Sequence, residues 1–81
     1  MPDRRPELVE IAIADVTPGM TLRIGLDNLV VQHIAPCALA GRVSMVMRKV
    51  LDGGALGFRQ TKYFDRRDPV VQVRPPTEDR P

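Results

Sequence analysis

Residues 42–64 read RVSMVMRKVLDGGALGFRQTKYF. In the first half, Val43, Met45 and Met47 fall on one side of an extended chain and Ser44, Val46, Arg48 and Val50 on the other. That two-residue period belongs to a strand with one buried face. Asp52-Gly53-Gly54 follows, and adjacent glycines permit the positive φ that tight hairpins demand. Ala55 to Phe64 then returns as the partner strand, and Leu56, Phe58 and either Tyr63 or Phe64 are expected to face the core.

The same short-strand grammar extends outward from this hairpin. Upstream, Glu7–Asp15 alternates and is rich in β-branched residues. Thr17-Pro18-Gly19-Met20 reads as a type II turn, with proline fixing one φ and glycine taking the positive one. Thr21–Ile24 and Leu29–Ile34 are short strands on either side of the turn Gly25-Leu26-Asp27-Asn28. Ala35–Gly41 breaks the alternation and is expected to be an exposed loop, with room for one helical turn at most. Downstream, Arg66-Arg67-Asp68-Pro69 is a polar turn before a closing strand, Val70–Arg74. No stretch carries the 3.6-residue apolar stripe of a helix. Five or six short antiparallel strands with frequent turns predict an all-β fold, a small barrel or sandwich. Residues 7–74 form the expected domain. Residues 1–6 and 75–81, rich in proline and charge, are expected to be frayed tails.

Composition narrows the function classes. The chain has 81 residues, three aromatics and no Trp. A domain this small buries only about 60% of its unfolded surface and has little left over for a deep catalytic cleft. No run approaches the roughly 18 to 20 apolar residues of a membrane span, and the opening Met1–Pro6 lacks the apolar core of a secretory signal. One Cys and one His cannot make a structural zinc site or a disulfide framework. No cofactor, metal or membrane partner is expected, and a reducing cytoplasm is the default setting. The formal net charge of +2 hides a division. Residues 42–67 hold Arg42, Arg48, Lys49, Arg59, Lys62, Arg66 and Arg67 against Asp52 and Asp65, while both flanking segments are net acidic.

The order of motifs resembles a known family. Asp15-Val16-Thr17-Pro18-Gly19-Met20-Thr21-Leu22-Arg23-Ile24 is similar to the opening of the bacterial elongation factor P N-terminal domain, where an Asp, a turn Gly and a Met lead into the first barrel strand. Leu29–Pro36 looks like that family's second strand. Arg48-Lys49-Val50-Leu51-Asp52-Gly53 stands where the family has R-N-L-x-T-G, and Phe64 takes the place of its Phe after the hairpin, which is longer here. The resemblance spans about residues 13–72 and implies an SH3-like barrel related to KOW modules, in a family that binds the ribosome and relieves stalling. The family's modified loop lysine falls on Ala38, which carries no charge and accepts no such modification. The flanking glycines are Cys37 and Leu39, and two further barrel domains of the factor are absent from this sequence. What the resemblance carries over is the barrel and a basic surface that meets RNA.

Two surfaces therefore compete. The first is the Arg-rich strand pair with its turn: Arg42, Arg48, Lys49, Arg59, Lys62, Arg66 and Arg67. A guanidinium offers phosphate two parallel hydrogen bonds, and Tyr63 and Phe64 lie beside the last two arginines as stacking rings or as filling for the barrel's end. Its partner would be RNA or the ribosome. The second is the apolar loop Pro36, Cys37, Ala38, Leu39 and Ala40, which either folds down over the barrel, the simpler outcome, or docks on a protein partner. Cys37 with His33 lacks the third, orienting group of a nucleophilic pair, and no phosphate loop or nucleophile elbow occurs, so no catalytic residue is assigned. The expected function is a non-catalytic binding module that contacts RNA or a ribonucleoprotein through the first surface, or else a small interaction or inhibitory module that docks through the second; oligomeric state is open.

Overall fold

A computed structural model describes residues 6–74. It contains six strands: β1 (Glu7–Ala12), β2 (Thr21–Ile24), β3 (Asp27–Pro36), β4 (Arg42–Val50), β5 (Leu56–Asp65) and β6 (Pro69–Arg74). They form one sheet in the order β1-β6-β2-β3-β4-β5, antiparallel throughout. Short connections between successive strands leave an antiparallel meander from β2 to β5 as the available pairing. β6 crosses back to the far side of β2, and β1 adds beyond it. The fold is all-β and consistent with a small SH3-like fold, but the sheet is not closed. Among the described residues β1 pairs only with β6 and β5 only with β4.

The core lies on one face of this curled sheet. Ile13, Val16, Leu22, Leu29, Val31, Met45, Met47 and Val70 are buried, and Ile11, Met20, Ile24, Ile34, Val43 and Phe64 pack against them. The alternation read in β4 holds, with Met45 and Met47 inward. Gln32 is an extra residue in β3: Val31 faces Met47 and His33 faces Val46, so the ladder slips by one between them. Such a bulge bends a strand and increases its twist, which helps a six-stranded sheet wrap its core.

Several expectations need correction. The first strand ends at Ala12, and Ile13–Asp15 is a single 3-10 turn that drives Ile13 into the core. β3 runs on through Pro36, opposite Val43, so the loop is shorter than the sequence pattern implies and holds no helical turn. Leu56 and Phe58 do not reach the core: Phe58 is 92% exposed. The β4–β5 hairpin runs past the buried residues, and the ladder slips again between Arg48↔Arg59 and Val50↔Leu56. Residues 1–5 and 75–81 of the expected tails lie outside the described residues.

Arg48 explains how that second slip is tolerated. Its Nε donates to the Gly57 carbonyl at 2.7 Å and its Nη2 to the Leu56 carbonyl at 3.3 Å. A guanidinium thus binds two backbone acceptors where the ladder is irregular. Arg48→Ala is expected to cost about 1 kcal/mol, a partly exposed charged hydrogen-bond pair lost. Arg48→Lys should recover less than half, since an ammonium lacks the fork. Urea denaturation of the three proteins checks both.

Candidate interaction surface

The register divides the seven cations. Residues directly opposite in an antiparallel ladder share a face. Arg48 and Arg59 are cross-strand partners on the outer face, as is Arg42 with Asp65. Lys62 instead faces buried Met45, and Lys49 faces buried Leu29, so both belong to the inner side. Lys49 pairs with Asp27 at 3.3 Å. With both partners about half exposed, that ion pair contributes little, and Lys49→Ala should shift stability by less than about 0.5 kcal/mol in a thermal melt. The stretch that reads as one basic strip is therefore two inner lysines, an arginine bound to backbone, and cations at opposite ends of the hairpin.

One group of these does converge. The β3–β4 loop, residues 37–41, is closed by Cys37 N–H donating to Arg42 O at 3.1 Å and Arg42 N–H to Leu39 O at 3.3 Å. Gly41 takes φ +79°, which lets the chain reverse into β4. Its carbonyl accepts the Arg66 N–H at 2.8 Å, fastening this loop to the β5–β6 turn. That turn has its own clasp: Arg67 N–H donates to Asp65 Oδ1 at 2.8 Å, and Asp65 N–H to Asp68 Oδ2 at 3.3 Å. Both carboxylates are thus engaged by the turn's amides. The 3-10 turn supports the assembly from behind through Ile13 N–H to Asp68 O, 2.9 Å, and Ala14 N–H to Arg66 O, 3.1 Å.

Of the shallow clefts around this junction, two are lined by residues of the loop 37–41. One is lined by Cys37, Ala38, Leu39, Arg42 and Tyr63. The other is lined by Ala14, Ala40, Gly41, Asp65, Arg66 and Arg67. Leu39 is 67% and Tyr63 62% exposed, so the apolar tip stands out from the sheet and does not fold down over it. Phe64, facing Val43, packs against the core. Of the loop residues singled out in sequence, Cys37, Ala38, Leu39 and Ala40 sit at this surface, whereas Pro36 belongs to the end of β3. Arg59 lies far along β5, opposite Arg48. The joining of residue 41 to residue 66, and the role of Ile13–Asp15 behind it, left no mark in the sequence beyond Gly41 itself.

Among the described residues no three His, Cys, Asp or Glu side chains come together, and no helix is long and apolar enough to cross a membrane. A scan of protein-family models and searches of curated proteins and solved structures return no match to this chain.

Proposed function

We propose that the chain is a non-catalytic binding module that contacts single-stranded RNA, free or within a ribonucleoprotein, through the junction of the β3–β4 loop and the β5–β6 turn. The observation that carries this reading is the 2.8 Å bond from Arg66 N–H to Gly41 O. It brings Arg42, Arg66 and Arg67 to the same end of the hairpin as the exposed Tyr63 ring. Arginine forks suit phosphate, and an open ring offers a base a stacking partner. The elongation factor P resemblance supports an RNA partner, while Ala38 at the lysine position argues against that family's action at the peptidyl-transferase centre. A cytoplasmic setting, in which Cys37 stays a free thiol, belongs to the same proposal.

Fluorescence anisotropy with a single-stranded RNA oligonucleotide tests it. Three phosphate contacts predict a log–log salt slope of about −2. Tyr63→Ala should weaken binding by roughly tenfold or more through lost stacking. Arg42→Ala, Arg66→Ala and Arg67→Ala combined should abolish it. Binding that ignores salt, or survives the triple substitution, defeats the reading. A protein partner is the second reading, favoured by the exposure of Leu39; there Leu39→Asp would abolish a salt-insensitive complex and leave RNA affinity untouched.

A further inference from the structure

The unclosed sheet has two free margins of opposite charge. β1 presents Glu7 and Glu10, and β5 presents Arg59 and Lys62. Among the described residues neither strand has a partner on its outer side. An open margin is a row of unpaired backbone donors and acceptors, a template for another strand. Faces can be assigned on both. In β1, Ile11 faces buried Val70 and Val9 faces Gln72, itself opposite buried Leu22; this puts Glu7, Val9 and Ile11 on the inner side and Leu8 and Glu10 on the outer. In β5, Lys62 and Gln60 face buried Met45 and Met47, which puts Arg59, Thr61 and Tyr63 on the outer side.

We propose that two copies of this chain associate by pairing β1 of each with β5 of the other, antiparallel, in the register that sets Glu10 opposite Arg59. That single choice fixes every other pair. Glu7 then meets Lys62 and Ile11 meets Phe58, inner side to inner side, while Leu8 meets Thr61 on the outer side. A register one residue away would put inner residues against outer ones and lose both charge pairs at once. β1 and β5 run in opposite directions within the sheet, so a two-fold axis along the strands makes both seams antiparallel. The result is a closed ring of twelve strands with no free margin among the described residues. The second copy is favoured over pairing of β5 with β5, which would bring Arg59 and Lys62 toward like charges. It also gives Phe58, 92% exposed in the single chain, an apolar neighbour. The seams leave Arg42 and Arg66 uninvolved, whereas Tyr63 follows Lys62 in β5 and Arg67 shares a shallow cleft with Glu10; sedimentation without RNA therefore reads the association on its own.

Sedimentation equilibrium and heteronuclear NMR of the full chain decide it. The wild-type chain should form dimers that loosen as salt rises. Glu10→Arg and Arg59→Glu should each weaken dimerisation by about tenfold or more, because each places like charges across both seams. Each should keep its far-ultraviolet circular dichroism, showing that the strands still form. Mixing the two variants should restore dimers, since every seam then pairs an arginine with a glutamate. A wild-type chain that stays monomeric, single variants that dimerise like the wild type, or a mixture that fails to recover would each overturn the proposal.

Discussion

Leu22→Ala is expected to remove about 3–4 kcal/mol of stability, a large share of what a domain of this size has. Leu22 is fully buried and lies in the middle of the sheet, opposite Leu29 on one side and Gln72 on the other. Four residues of β2 must hold both β3 and β6, so the sheet has little slack there with which to collapse a cavity. The transfer term and the cavity term therefore add. With a urea dependence of about 1 kcal/mol per molar, the midpoint should fall by about 3 M. Leu26→Ser is the control: Leu26 is 97% exposed in the β2–β3 turn, and its loss should change stability by less than about 0.5 kcal/mol. Equal effects at the two leucines would mean that the buried face has been misassigned.

The second large effect is at Ile13, and it joins stability to the proposed site. Its side chain is 2% exposed and anchors the 3-10 turn in the core. The same turn donates the amides of Ile13 and Ala14 to Asp68 and Arg66. Ile13→Ser leaves a void and a hydroxyl among apolar neighbours, at a cost of about 3 kcal/mol or more. Below its unfolding transition the variant should still bind RNA several-fold more weakly than wild type, because Arg66 and Arg67 lose the support that holds their turn. Amide hydrogen exchange gives an independent reading: Ala14 N–H should exchange much faster in Ile13→Ser while β4 amides stay protected. Unchanged RNA affinity in the folded variant would show that the turn holds its shape without Ile13.

The strands were legible because their signals are local. Alternation in residues 42–50 and the glycine pair after it act over a few residues, and so does the Pro18-Gly19 turn, where Gly19 has φ +96° and Met20 N–H meets Thr17 O. The faces of β4 followed directly from that period. Phe58 was misleading for a physical reason: period two says which side a residue takes, not whether the sheet beyond it has anything to cover. The hairpin overshoots the core, and no local pattern records its overshoot. Ile13 continues the alternation of Val9 and Ile11, so the Ile13–Asp15 turn looks like more strand, and only the tertiary bonds to residues 66 and 68 make it curl. The cations were the least legible. Spacing groups them as a strip, but the ladder sorts them by parity into inner and outer sides, and Arg48 goes to two carbonyls that only the register slip leaves open.

The aliphatic and methionine core has an optical consequence. With no Trp in the chain and its one Tyr, Tyr63, mostly exposed, no indole or phenol ring crosses from water into the interior when the domain folds. Native and unfolded states should look nearly alike in tyrosine emission and in the tyrosine band of the near-ultraviolet dichroism. That quietness is useful. A tryptophan introduced at one chosen position would report on that position alone, with no background from the rest of the molecule. Phe64, which packs against the core at the end of β5, is the natural place to put it.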